Sequence, residues 1–169
     1  MKRLILLRHA KSEQYLTGVA DFDRPLNTRG LNTAPFMGEL LVRENLVPDI
    51  VICSPAKRTV QTADLVRESS GINAGIVYDD RIYEAATGTL LNVISDLPDT
   101  ANTAMMVGHN PGMEGVVRAL TGAVETMPTA ALAVIDIDAA KWKNTEPGSG
   151  KLAAIFRPKD EMGMSVFGQ

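Results

Sequence analysis

Short apolar runs alternate along this chain with segments whose apolar residues recur every three or four positions. Residues 2–7, 49–53 and 104–108 contain continuous apolar stretches, which are typical of strands buried on both faces of a sheet. Further strands are predicted at residues 75–78, 131–136 and 152–156. Because strands alternate with helical segments, the chain predicts an α/β fold with a mostly parallel sheet and helices on both faces.

The predicted helices occupy residues 36–44, 57–69, 90–97 and 113–120. Three of them are followed by a stop signal, namely Gly71, Pro98 and Gly122. We expect Pro35 in the first turn of the first helix, or at a kink. Residues 141–150, between the last two strands, contain Pro and Gly and predict a long hairpin-like loop. The sheet should therefore include one antiparallel strand.

The size and charge of the chain restrict its class. With 169 residues, a single domain over residues 1–169 with one core is expected. No apolar run is long enough to span a bilayer and the first is too short for a signal peptide, so we expect a cytoplasmic protein without a membrane partner. The one cysteine, Cys53, excludes an internal disulfide and reads as a buried strand residue. A net charge of −3 predicts no broad basic surface, so nucleic acid is not an expected partner.

Charged side chains follow three of the predicted strands at the point where each strand ends. They are Arg8 with His9, then Arg58, then His109, and the chain has only two histidines. Because ligands bind outside the carboxyl ends of parallel strands, these groups should meet at one edge of the sheet. Two guanidiniums with two imidazoles predict a site for a dianionic group such as phosphate, which the planar fork of arginine matches. A neutral imidazole held among cations keeps a free ring nitrogen and is a competent nucleophile.

Three motifs in this order resemble a known family. Leu-Leu-Arg-His-Ala, Cys-Ser-Pro-Ala-Lys-Arg-Thr and Gly-His-Asn-Pro-Gly are similar to motifs of the histidine phosphatase superfamily, also called the phosphoglycerate mutase-like family. The motif Arg-His-Ala-Lys-Ser and the short length of the chain resemble the SixA branch of this superfamily, which consists of phosphohistidine phosphatases. The resemblance runs over about residues 2–137. It implies a three-layer α/β/α fold and an enzyme without a metal cofactor.

The resemblance also implies roles for matching residues. His9 would be phosphorylated during turnover, Arg8 and Arg58 would hold the phosphoryl oxygens, and His109 would stabilise them in the transition state. Ser12 and Asn110 are expected to reach the substrate.

Other residues have alternative readings. Glu84, in Ile-Tyr-Glu-Ala, is the candidate general acid, and the alternative is an ordinary surface carboxylate. Lys11 and Lys57 are expected as solvated charges at the rim, where they could attract an anionic substrate. A zinc site at the histidines is not expected, because no Cys or carboxylate cluster accompanies them at ligand spacing.

Two departures from the mutase branch bear on the substrate. That branch has Gly after the nucleophile and Asn a few residues on, where this chain has Ala10 and Tyr15. The larger branches also enclose their substrates with insertions for which this chain is too short, so an open site is expected. An open site favours a phosphorylated protein, carrying phosphohistidine, as the substrate. The alternatives are a phosphatase of a small phosphomonoester, such as a sugar phosphate or nucleotide, and a non-catalytic phosphate-binding module.

Overall fold

A computed structural model describes residues 1–166, and these residues form one six-stranded sheet. The strands are β1 (Lys2–Arg8), β2 (Ile50–Cys53), β3 (Ile76–Tyr78), β4 (Thr103–Gly108), β5 (Leu132–Ile137) and β6 (Gly150–Phe156). Their order across the sheet is β3-β2-β4-β1-β5-β6, with β1 to β4 parallel and β5 antiparallel to both of its neighbours. The predicted α/β class, with its mostly parallel sheet and an antiparallel strand, is confirmed. The last three residues of the predicted domain lie outside the described residues.

Helices cover both faces of the sheet. The helices are α1 (Thr28–Arg43), α2 (Lys57–Ser70), α3 (Thr87–Ser95), α4 (Gly112–Thr121) and α5 (Pro158–Val166). Leu4 and Leu6 of β1 pack in the same core as α3 and α4, whereas Ile5 and Leu7 pack in the core that contains α1 and α2. Side chains alternate between the two faces of a strand, so a strand with a core on each side must be apolar throughout. The three-layer arrangement is thereby confirmed. Within residues 1–166, none of the helices is both long and apolar enough to cross a bilayer.

The position of Pro35 differs from the prediction. Helix α1 begins at Thr28, where the Asn27 side chain accepts a hydrogen bond of 2.9 Å from Gly30 N–H, so Pro35 lies inside the helix and not in its first turn. The Asn27 cap starts the helix well before the apolar residues that suggested it. Helix α2 lies close to α1 at this point, and Ser69 Oγ of α2 donates a hydrogen bond of 2.7 Å to the Pro35 carbonyl. A Cβ atom at Gly38 would collide with the same Ser69 hydroxyl.

Helix α5 was not predicted at all. It follows β6 directly and begins with Pro158, with Asp160 and Glu161 in its first turn. Proline at the first helical position and acidic residues in the first turn are helix-start signals, and they were the cue in the sequence. The other helices were predicted from apolar residues that recur every three or four positions. That pattern is weak in α5, where Met162 and Met164 are the only large apolar residues of the middle of the segment.

The carboxyl ends of three neighbouring strands stand level with one another. Arg8 of β1 is in register with Gly108 of β4, and Cys53 of β2 is in register with Val107. The ladder continues one residue further, because His9 N–H donates to the Gly108 carbonyl at 3.1 Å. The segments that follow β1, β2 and β4 therefore leave the sheet side by side.

Candidate active site

A cavity of about 340 Å³ opens at this edge of the sheet. Its lining includes all the predicted site residues: Arg8, His9, Ser12, Arg58, Glu84, His109 and Asn110. The structure thus brings together the groups that the strand order predicted to meet. The segment that carries His9 is held against helix α2, because Ala10 N–H donates to Thr62 Oγ1 at 2.9 Å and Thr62 donates to the Arg58 carbonyl at 2.7 Å.

The His9 imidazole is buried, with 7% of its surface exposed, and its protonation is determined by one contact. Nδ1 lies 2.7 Å from the carbonyl oxygen of Ala10. A carbonyl only accepts, so Nδ1 carries the proton and Nε2 of the neutral ring keeps its lone pair. Burial, helped by the nearby Arg8 and Arg58 guanidiniums, lowers the pKa of His9 to about 3. At neutral pH, His9 is an uncharged imidazole with a basic nitrogen.

The second imidazole, His109, stands next to the first. The two ring centroids are 5.3 Å apart and the planes are tilted by 53°. Nε2 of His109 is 2.8 Å from Ser54 Oγ, while its Nδ1 is buried and has no hydrogen-bond partner within residues 1–166. Burial, together with the Arg58 charge, lowers the pKa of His109 to about 4. An unpaired buried nitrogen beside the nucleophile is a position from which a substrate oxygen could be bound.

Both predicted guanidiniums keep unused donors. Arg8 donates through one terminal nitrogen to the Met127 carbonyl at 3.0 Å. Arg58, which is 4% exposed, donates to the carbonyl of Asp21 at 2.8 Å and to its carboxylate at 3.1 Å. In the part of the chain that the structure describes, the Nε atoms of Arg8 and Arg58 are buried without a partner. Two guanidiniums that line one polar cavity suit a phosphoryl group, which has several acceptor oxygens.

A charged network around Asp21 was missed in the sequence. The Asp21 carboxylate accepts from the Tyr83 hydroxyl at 2.6 Å, from Arg24 at 2.8 Å and from Arg58. The Tyr83 hydroxyl and the two guanidiniums hold the pKa of this carboxyl well below its usual range. Arg24 also donates to Ser12 Oγ at 3.0 Å, which brings a third cation to the cavity. The only cue in the sequence was a charged cluster, Asp-Phe-Asp-Arg, in the long segment after the nucleophile.

Tyr83 connects this network to the histidines. Its ring meets His109 edge-on, with the centroids 5.6 Å apart and the planes at 80°, and meets Phe22 in the same way at 5.1 Å. The Arg58 guanidinium lies over the Tyr83 ring at 5.9 Å. Burial, together with the hydrogen bond to the Asp21 carboxylate, raises the pKa of Tyr83 to about 12. Tyr83 therefore stays protonated and keeps donating to Asp21 at any physiological pH.

Ser54 was also missed, although it stands in the quoted Cys-Ser-Pro motif directly after β2. It is completely buried, and its hydroxyl contacts His109 Nε2 and accepts from Ala56 N–H at 3.3 Å. A serine that follows a strand and precedes Pro gives little indication of a contact with a side chain 55 residues away. Only the alignment of β2 with β4 brings the two together.

Three of the predicted residues occupy less direct positions. The Asn110 amide is fully engaged, since Nδ2 donates to Glu114 at 2.7 Å and to the Met127 carbonyl at 2.8 Å, and Oδ1 accepts from Glu114 N–H. Ser12 accepts from Arg24 and is 6% exposed. Glu84 is exposed at the cavity mouth, with a backbone φ of 48°, and makes no hydrogen bond within residues 1–166. Its carboxylate can therefore move.

Among residues 1–166, no three His, Cys, Asp or Glu side chains are grouped as metal ligands would be. Cys53 is buried at the end of β2, and burial raises the pKa of its thiol to about 12. It is therefore a protonated core residue, as the sequence predicted.

Comparison with known proteins identifies the family. The model of the histidine phosphatase superfamily (branch 1) matches residues 4–96, more than half of the chain. The chain belongs to the histidine phosphatase superfamily. This membership confirms the resemblance seen in the three motifs. Together with the fold, it makes the protein a phosphatase.

Individual relatives match between 66% and 93% of the chain. An uncharacterised protein of Mycobacterium tuberculosis is 36% identical over 165 residues, which cover 90% of this chain and 100% of that protein. A SixA protein of Agrobacterium tumefaciens, described as a proposed phosphohistidine phosphatase, is 31% identical with a TM-score of 0.81, covering 93% of this chain and 98% of that one. A 2,3-bisphosphoglycerate-dependent phosphoglycerate mutase of an Arthrobacter species is 40% identical over 117 residues, which are 66% of this chain and only 44% of that enzyme.

Proposed function

We propose that the chain hydrolyses its substrate through a covalent phosphohistidine on His9. The hydrogen bond from Nδ1 to the Ala10 carbonyl supports this most directly, because it keeps the lone pair on Nε2. Nε2 attacks phosphorus, the bond from phosphorus to the leaving group breaks, and the leaving group takes a proton. Water then attacks the phosphohistidine, releases inorganic phosphate and restores the neutral imidazole.

The neighbouring donors stabilise the charge that spreads over the phosphoryl oxygens. Arg8 and Arg58 line the cavity and donate to these oxygens from their guanidinium groups. The Ser54 hydroxyl accepts from Ala56 N–H and lies 2.8 Å from His109 Nε2. We assign the serine as the donor to Nε2, which places the His109 proton on Nδ1, an atom without a partner among residues 1–166. Positioning and charge stabilisation supply most of the catalysis in phosphoryl transfer, so this set of donors is sufficient for the reaction.

The favoured substrate is a phosphohistidine carried by another protein, handled in the cytoplasm. The unrestrained Glu84 supports this choice, because an imidazole leaves phosphorus more easily than an alkoxide and needs less help from a positioned acid. The likeness to the SixA protein is consistent with it. A single buried cysteine fits a reducing compartment.

Hydrolysis of a phosphohistidine peptide and of p-nitrophenyl phosphate in metal-free buffer tests the mechanism. His9→Ala should lower both rates by several orders of magnitude. It should also abolish formation of the covalent phosphohistidine label on the enzyme. His109→Ala is the matched control, because it removes an equally buried imidazole: we expect a rate loss of about 100- to 1,000-fold with the label still forming on His9. Full activity of His9→Ala would refute the proposal.

A small phosphomonoester is the second candidate, and the place of Glu84 at the cavity mouth is what favours it. Glu84→Gln separates the two substrates. If the general acid serves an alkoxide, this variant should slow an alkyl phosphate sharply and leave a phosphohistidine peptide almost unaffected. An equal response of both substrates would leave Glu84 as an ordinary surface carboxylate.

A further inference from the structure

A groove of about 790 Å³ runs beside the catalytic cavity, between the start of α1 and the start of α5. Its apolar surface comes from residues such as Pro128, Pro158 and Met162. The catalytic mechanism proposed above uses none of these residues. The groove is more than twice as large as the cavity beside it, which has about 340 Å³.

The groove and the catalytic cavity are adjacent. Lys11 and Thr129 line both of them. Their junction is firmly held, because Asn27 N–H donates to the Lys11 carbonyl at 3.0 Å and a Cβ at Gly30 would collide with the same oxygen. A polypeptide whose phosphorylated side chain entered the cavity would place its neighbouring residues along the groove.

The charge of the groove is opposite to that of the whole chain. The chain has a net charge of −3, yet the described residues that line the groove include four cations, Lys11, Arg29, Arg157 and Lys159, and one carboxylate, Asp160. Arg157 is paired with Glu125 at 2.8 Å. The other three cations form no ion pair among residues 1–166. A groove lined by cations and by apolar side chains complements a ligand that carries both carboxylates and apolar groups.

We infer that this groove binds the polypeptide segment next to the phosphorylated residue, and that it selects acidic segments with interspersed apolar side chains. The inference rests on the proposed phosphatase function and adds a substrate preference to it. A nucleic acid fits less well, because none of the described residues that line the groove is an aromatic residue on which bases could stack.

Two phosphohistidine peptides of equal length test the inference, one with Glu and Leu around the phosphohistidine and one with Gln and Leu. The variant Arg29→Gln/Lys159→Gln removes two cations from the groove without touching the catalytic cavity. Lys141→Gln/Lys143→Gln is the matched control, since it removes the same charge from exposed positions that line neither cavity. The probe for the catalytic site alone is p-nitrophenyl phosphate.

We expect the unmodified enzyme to prefer the Glu peptide by about fivefold in kcat/KM, as two exposed charge pairs would give. The groove variant should lose that preference through KM, while the control variant keeps it and aryl phosphate hydrolysis stays within about twofold in both. The preference should also weaken with added salt. A preference that survives in the groove variant would overturn the inference. A lower solution mass of the groove variant than of the unmodified enzyme would also overturn it, because it would show that the groove binds a second copy of the chain. Absence of His9-dependent hydrolysis of either peptide would instead be a failure of the proposed function.

Discussion

The buried contact between Ser54 and His109 offers a sensitive test of how this site works. Ser54→Ala removes the hydroxyl that lies 2.8 Å from His109 Nε2 and leaves both catalytic imidazoles in place. Without that partner the ring can carry its proton on either nitrogen, and only the Nδ1 form can donate to a phosphoryl oxygen. Ser54 touches His109 and not the substrate cavity, so it acts as a positioning residue.

The size of the effect follows from the bond that is lost. A neutral hydrogen bond is worth about 1–1.5 kcal/mol, and about 1.4 kcal/mol in a barrier is tenfold in rate. We therefore expect Ser54→Ala to lower kcat for p-nitrophenyl phosphate about tenfold, with KM within about twofold. The unpaired Nε2 should also lower the free energy of unfolding by about 1–3 kcal/mol.

Thr59→Ala is the control for this experiment. Thr59 is completely buried at the same end of α2, and its hydroxyl donates to the carbonyls of Ser54 and Ala56 at 2.8 and 2.7 Å. Thr59→Ala should cost a similar amount of stability in urea unfolding without changing kcat, because the lost hydroxyl is bonded to backbone carbonyls and not to the His109 ring. Equal kcat values for the two variants would refute the positioning role of Ser54.

Three further outcomes are expected. Asp21→Asn should lower kcat/KM about tenfold, because Arg58 and Arg24 lose the carboxylate that orients them; steady-state kinetics that match the parent enzyme would contradict this. The pKa values of His9 and His109, about 3 and about 4, lie below the ordinary 6.5, so the unfolded chain binds more protons, and the free energy of unfolding should fall as pH drops from 6.5 towards 4. Urea unfolding measured across that range should show a smaller fall in His109→Gln, and an unchanged slope would count against the assigned shifts. Gly38→Ala should lower the free energy of unfolding by about 1–3 kcal/mol, because its Cβ would strike the α1–α2 contact, and calorimetry that finds a gain would contradict that packing.

The edge of the sheet at which the candidate site lies could be predicted, because the pattern of each strand is contained in a short segment of sequence. A strand that is apolar throughout must be buried on both faces, which implies a parallel sheet covered by helices. Any residue that follows such a strand lies at the same edge as its counterparts, so His9 and His109 could be expected to meet although 100 residues separate them. Their ring centroids are 5.3 Å apart.

Other parts depended on packing that no short segment of sequence encodes. The contact of Asp21 with Tyr83 joins two loops that are 62 residues apart, and neither loop has a periodic pattern. Pro35 lies inside α1 because Asn27 caps the helix earlier than the apolar residues suggested. The groove beside the cavity exists only because α5, a helix with little apolar periodicity, packs next to the start of α1.

Local sequence patterns are enough to predict the α/β class and the points at which the strands end. They also predict that two histidines and two arginines follow those strand ends. Tertiary structure alone decided which atoms of those side chains are available. The Ala10 carbonyl lies 2.7 Å from His9 Nδ1 and leaves Nε2 as the free atom of the proposed nucleophile, and Ser54 Oγ lies 2.8 Å from His109 Nε2 and leaves Nδ1 without a partner among residues 1–166. The physical reason is that residue type and order follow from local patterns, whereas protonation and orientation depend on hydrogen-bond partners brought from distant parts of the chain.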